Sequence, residues 1–203
     1  TTELLAFLTS PCRDTVPFTI TGRGTTASIG LSRNILTLAV GPCSPLGPVE
    51  DTLSVFNIGS AAVSLSNPVI NPARFTLVSP VGGFAVPAGG SQTIRIRYTP
   101  SAAGVINGSL TYTTTDPKKP TLSVDLVGRR DTIGLEPSTS RLVFPTLLSC
   151  QKEIADTLIL RNTGTVIDTI IQIFTEPPTN FLIGTPPPLR IPPGDSMKLP
   201  LIF

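Results

Sequence analysis

The sequence predicts an all-β chain, on three observations. Apolar and polar residues alternate in short runs, turn-forming residues separate those runs, and no segment keeps a helical period for three turns. The clearest run is Ile94-Arg95-Ile96-Arg97-Tyr98, which puts Ile94, Ile96 and Tyr98 on one face and both arginines on the other. Leu110 and Tyr112 alternate with Ser109, Thr111 and Thr113, and Leu122, Val124 and Leu126 alternate with Ser123 and Asp125. Between such runs stand Asn57-Ile58-Gly59, Ala88-Gly89-Gly90 and Asp116-Pro117, residues that supply the backbone geometry of turns. Threonine on the outer faces keeps strands wetted with little charge.

Composition narrows the function. Only 14% of the 203 residues are charged, against ~25% in an ordinary soluble domain. Apolar residues still reach 40%, enough for a packed core. With no histidine, the Ser-His-Asp and Cys-His nucleophile systems, most zinc sites and the usual proton shuttle near neutral pH are excluded. A net charge of +2 without a basic cluster argues against nucleic acid, because phosphate neutralisation needs grouped Lys and Arg. No apolar run approaches the ~20 residues of a membrane-spanning helix.

The chain also repeats itself. Asp51-Thr52-Leu53, Asn57 and Gly59 recur 105 residues later as Asp156-Thr157-Leu158, Asn162 and Gly164. Val86-Pro87-Ala88-Gly89 with Ser91 recurs at the same offset as Ile191-Pro192-Pro193-Gly194 with Ser196, and Tyr98 matches Phe203. At an offset of 106, Leu4, Pro11, Thr15, Gly22 and Arg23 match Leu110, Pro117, Thr121, Gly128 and Arg129. The expected division is a closing hairpin over residues 1–24, a whole repeat over 25–130 and the first part of a third over 131–203. In the whole repeat, strands are expected at 35–40, 52–56, 63–65, 75–78, 93–98, 108–114 and 121–127. About seven short strands per repeat, punctuated by turns, fit an immunoglobulin-like β-sandwich.

The run from Phe75 through Val86-Pro87-Ala88-Gly89-Gly90-Ser91-Gln92-Thr93-Ile94-Arg95-Ile96-Arg97-Tyr98-Thr99-Pro100 to Ala103-Gly104 resembles the ASH/major-sperm-protein-like immunoglobulin-like repeats. These occur in hydin-type ciliary proteins and in large secreted bacterial proteins of the choice-of-anchor kind. Leu110-Thr111-Tyr112, Asp116-Pro117, Pro120 and Leu126-Val127-Gly128 are similar to that family's closing hairpin, and Asp51-Thr52-Leu53 with Asn57-Ile58-Gly59 to its second strand and turn. The resemblance implies a fold and no catalytic residues. Gly89-Gly90 is expected to permit a positive φ, and Gly128 to end the last strand and release the chain into a short joint, Gly128-Arg129-Arg130-Asp131.

Reactive candidates have plain structural alternatives. Glu50-Asp51 and Glu153 with Asp156 recur before a strand in two repeats, where a polar strand start is the expectation and a duplicated acid pair the alternative. There is no calcium-loop pattern and no phosphate-cradling glycine motif, so no cofactor is expected. Arg95, Arg97, Arg129 and Arg130 are candidate contacts for an anionic partner, or exposed strand arginines. Asn107-Gly108-Ser109 reads as a glycosylation acceptor or an ordinary turn pair. The prolines at 177–178, 186–188 and 192–193 are expected to fix loops, with polyproline ligands as the alternative. Three cysteines leave at least one without a partner in the chain, and Cys43 and Cys150 stand about one repeat apart, beyond disulfide reach. Cys12 with Cys43 is the remaining candidate pair.

These features lead to a non-enzymatic spacer or adhesive repeat region of a large secreted or cell-surface bacterial protein. Its partners would be neighbouring repeats of the same chain and protein or surface partners meeting loops or strand edges. The alternatives are an intracellular docking module for cytoskeletal or ciliary partners, cytoplasmic and reduced, and an accessory region of a secreted hydrolase. The register also leaves the last repeat without its closing hairpin. A frayed edge is expected there, with strand addition from another copy as the alternative.

Overall fold

The computed structural model describes residues 2–8, 14–22, 24–146, 148, 150–174 and 181–203. Seventeen strands and no helix run through them. β1 (Thr2–Leu8) and β2 (Asp14–Ile20) make an antiparallel hairpin that forms a two-stranded sheet by itself. Nine strands follow: β3 (Ile29–Leu31), β4 (Ile35–Val40), β5 (Val49–Asn57), β6 (Val63–Asn71), β7 (Phe75–Ser79), β8 (Phe84–Val86), β9 (Ser91–Tyr98), β10 (Gly104–Thr114) and β11 (Thr121–Arg130). The seven anticipated runs are all strands. The two additional ones, β3 and β8, are three residues long, too short for alternation to reveal them.

These nine strands make two sheets, ordered β4-β11-β10-β6-β8 and β3-β5-β9-β7. Pairing is antiparallel throughout except between β4 and β11, which run parallel. Alternation does what the sequence requires. Leu36, Leu38 and Val40 of β4, Leu122, Val124 and Leu126 of β11, and Ile94, Ile96 and Tyr98 of β9 are buried while their strand neighbours face outward. All of these but Val40, with Leu53, Val55, Val63, Leu65, Phe75, Val86, Leu110 and Tyr112, fill one core between the sheets, each large side chain contributing about 1.5–3 kcal/mol of burial. The chain over these residues is a β-sandwich.

Two backbone devices hold the edges of this core. Asn57 ends β5 fully buried. Its Nδ2 donates to the carbonyls of Ala61 (2.8 Å) and Val86 (2.9 Å), and its Oδ1 accepts from the Gly59 amide (3.0 Å). Gly89 takes φ +70° in the adjoining turn, as expected, and its amide donates to the Asn57 carbonyl.

Gly128 departs from expectation. It does not end β11 but lies inside it, paired with Ile106 of β10 and Leu38 of β4. A Cβ there would stand 2.4 Å from Cε2 of Tyr98, so glycine is required because an aromatic ring lies flat on the strand. Asn107-Gly108 likewise sits within β10, opposite Val127 and Leu126, and is not a turn.

Six more strands follow: β12 (Leu135–Pro137), β13 (Ala155–Asn162), β14 (Asp168–Ile170), β15 (Leu182–Ile183), β16 (Leu189–Ile191) and β17 (Ser196–Ile202). They form a sheet ordered β12-β13-β17-β15 and a two-stranded sheet of β14 and β16. Leu160, Leu189, Ile191 and Leu199 make a smaller core between them.

Candidate functional site

Strand alternation puts Arg95 and Arg97 of β9 on the outer face of their sheet, with Thr52 and Glu50 of β5 directly opposite. Arg97 donates through Nε to Glu50 Oε1 (2.8 Å), and Arg95 reaches the other Glu50 oxygen at 3.9 Å. Arg33 pairs with Asp51 at 3.0 Å. Arg95 and Arg97 thus share the Glu50 carboxylate on the outer face, while Asp51, opposite the buried Ile96, takes Arg33 on the other side of the strand. Exposed pairs of this kind contribute about 0–1 kcal/mol each.

Arg129 and Arg130 lie elsewhere, at the end of β11 in the opposite sheet. Arg129 donates through Nε to Asp131 Oδ1 (2.7 Å), and that bond and charge hold its guanidinium above the ordinary arginine range. Arg130 is half-buried, with Nη1 enclosed and unpartnered among the described residues. The structure therefore brings Arg95 and Arg97 together around Glu50 and does not bring them to Arg129 and Arg130.

Asp131 is the residue that sequence reasoning passed over. It is buried, and its amide donates to the Val40 carbonyl at the end of β4 (2.9 Å). Its Oδ1 also accepts from the Thr165 hydroxyl at 3.4 Å, while the same hydroxyl oxygen accepts from the Thr132 amide at 2.8 Å. One side chain thus ties the end of β11 to the loop between β13 and β14. The sequence marked the joint as short, and only the fold reveals that its aspartate bonds both ways.

Of the acidic candidates, Asp51 and Asp156 make local bonds. Asp51 Oδ1 accepts from the Thr52 amide and Asp156 Oδ1 from the Thr157 amide, both at 2.7 Å. Both lie inside the first half of a strand, a polar strand start in each case. Among the described residues no group of three Cys, Asp or Glu side chains is placed to hold a metal ion. Cys43 and Cys150 are exposed thiols without a disulfide among the described residues. Cys12 lies outside those residues, as do the prolines at 177–178, so the Cys12–Cys43 pair keeps its standing as an expectation. Pro186 to Pro188 lie in the connection between β15 and β16, and Pro192-Pro193 in the turn before β17.

An open cavity of about 340 Å³ is lined by Ile133, Gly134, Leu135, Ile167, Asp168, Thr169 and Ile170. Asp168 is 9% exposed and its Oδ2 is buried without a hydrogen-bond partner among the described residues. Leaving a buried carboxylate oxygen unpaired is costly. The signal was present in the repeat: Asp168 stands where the first sandwich has Val63, a core residue.

No protein-family profile matches this chain, and no curated protein matches it in sequence. Solved structures with a similar chain trace include the ASH / PapD-like domain of human CEP192 (PapD-like domain 7), at 18% identity and a TM-score of 0.41, covering 56% of this chain and 91% of that one. A protein of unknown function from Porphyromonas gingivalis matches at 16% identity and a TM-score of 0.44, covering 86% and 82%. The E. coli chaperone DraB matches at 14% identity and a TM-score of 0.39, covering 86% and 85%. Likeness at these scores carries no argument about activity or partner. No helix among the described residues is long and apolar enough to cross a membrane.

Proposed function

We propose that this chain is a non-enzymatic stretch of tandem immunoglobulin-like sandwiches of the ASH/major-sperm-protein-like kind, serving as a spacer or adhesive region of a large secreted or cell-surface protein. Sheet edges and loops are the surfaces it offers to protein partners. The observation that carries this reading is the joint at Asp131, where a single buried carboxylate bonds the end of one sandwich and a loop of the next. A spacer transmits position only when its joints are held. The arginine–carboxylate pairs and the strand-starting aspartates support the same reading, because their charges are engaged with each other or with the backbone.

Distance measurement across the joint tests it. Spin labels at Thr93→Cys and Thr157→Cys, with the three native cysteines replaced by serine, report on the two sandwiches separately. The expected result is a narrow distance distribution that broadens in Asp131→Ala. A broad distribution in the parent chain contradicts a spacer role.

A further inference from the structure

Asn107-Gly108-Ser109 has the pattern both of an N-glycan acceptor and of a turn pair, and in the fold it is no turn. β10 runs through it from Gly104 to Thr114, with Asn107 opposite Val127 and Ser109 opposite Asp125 of β11. Gly108 has its own reason to be glycine, because a Cβ there would run into the Asn71 carbonyl oxygen and the Phe75 ring. Packing on the inner face thus accounts for the glycine and leaves the asparagine and the serine beside it without a structural task.

Strand alternation sorts the three residues. Ile106, Leu110 and Tyr112 pack in the core, so Gly108 is on the inner face, and Asn107 and Ser109 share the outer one. Asn107 is exposed there. β6 stops at Asn71, opposite Ser109, so β10 extends past it and Asn107 is flanked in the sheet by β11 alone. Its nearest residues on this face are Val105 and Ser109 along the strand and Val127 across the ladder, none of them charged. Asn107 is also the one asparagine of the 203 residues with a Ser or Thr two positions on and no intervening Pro. The same face carries apolar side chains in the open: Val105 is 64% exposed, Val69 52% and Ile35 55%. A bulky, hydrated group fixed beside Val105 covers such surface.

We propose that Asn107 is the acceptor of an N-linked glycan, which lies over the outer face of the β4-β11-β10-β6-β8 sheet beside Val105. The donor is a sugar chain carried on a polyprenyl diphosphate in the export route of the cell. The Asn107 amide nitrogen forms a bond to C1 of the first sugar. The bond from C1 to the diphosphate oxygen breaks, its electron pair stays on the diphosphate, and one amide proton leaves to a base of the transferring enzyme. The folded sheet accepts the product because the acceptor faces solvent and β6 has already ended. The inference rests on the secreted reading and is independent of the spacer role.

Translation of the chain behind a cleavable export signal, in the presence of endoplasmic-reticulum microsomes, tests the acceptor. The expected product runs above 21.3 kDa by a single glycan and returns to that mass with peptide-N-glycosidase F. Asn107→Gln and Ser109→Ala each abolish the step, and Ser109→Thr keeps it. Purified from a secreting host, the glycosylated chain keeps the denaturation midpoint of the Asn107→Gln chain. Maleimide labelling then locates the glycan, in a background with the three native cysteines replaced by serine. Labelling of Val105→Cys is slowed several-fold by the glycan, and labelling of Ile58→Cys, in the turn after β5, is unchanged. A chain that stays at 21.3 kDa in microsomes, or a shift that survives Asn107→Gln, overturns the proposal. So does a glycan that lowers the midpoint or leaves the labelling of Val105→Cys as fast as without it.

Discussion

Asn57 and Asn162 make the same three side-chain hydrogen bonds 105 residues apart. Each is fully buried, each donates twice through Nδ2, to Ala61 and Val86 in one case and to Val166 and Ile191 in the other, and each accepts from a glycine amide two residues on. The glycines that follow agree as well, since Gly89 and Gly194 have φ of +70° and +80° and donate to the two asparagine carbonyls. A buried side-chain amide can use both its donors and its acceptor only where the surrounding backbone is already placed for it. The two asparagines therefore mark one local architecture built twice.

Gly128→Ala is expected to destabilise the central sandwich by about 1–3 kcal/mol, because the new Cβ meets the Tyr98 ring inside a packed core. Chemical denaturation measures the change. Pairing the substitution with Tyr98→Leu recovers part of the loss, and strict additivity of the two contradicts the contact.

Tyr112 is buried against the edge of Phe84, with a hydroxyl that has no partner among the described residues, and burial pushes its pKa up to about 12. Tyr112→Phe removes the unsatisfied hydroxyl, so the variant is expected to be more stable by about 1 kcal/mol at neutral pH. The unfolded chain ionises this tyrosine near ~10 while the folded chain keeps its proton. Its contribution is therefore fully present below the unfolded value and is lost as pH rises toward 12, at no more than about 1.4 kcal/mol per unit. Denaturation midpoints measured across that alkaline range fall less steeply in Tyr112→Phe than in the parent; identical slopes contradict the burial.

Arg97→Ala changes stability by no more than about 0.5 kcal/mol, since its partner Glu50 is exposed enough to be solvated alone. Thermal unfolding in low and high salt checks this, and a loss of several kcal/mol would show the Arg97–Glu50 pair to be structural.

The all-β class and the seven longer strands were legible because alternation at Ile94-Arg95-Ile96-Arg97-Tyr98 and its like reports directly which face is buried. Strands β3 and β8 were not, being shorter than the period needs. Gly128 was misread because a glycine at a close ring contact and a glycine at a strand end look alike in sequence. Asp131 and Asp168 were missed for a related reason: an aspartate in a joint or at a core position declares itself only when its neighbours are known. The four arginines were found, but not that Arg95, Arg97 and Arg129 have carboxylate partners, distant in sequence or two residues away, while Arg130 Nη1 has no hydrogen-bond partner among the described residues.

We propose that one stapled frame is built twice, as separately held sandwiches. Hydrogen-exchange mass spectrometry on Asn57→Ala and Asn162→Ala tests it most directly. Each substitution strands two buried carbonyls and an amide, at a cost of about 3 kcal/mol. The predicted result is that Asn57→Ala speeds exchange across residues 29–130 only, and Asn162→Ala across 135–203 only. Loss of protection in both regions from either single substitution would contradict the account.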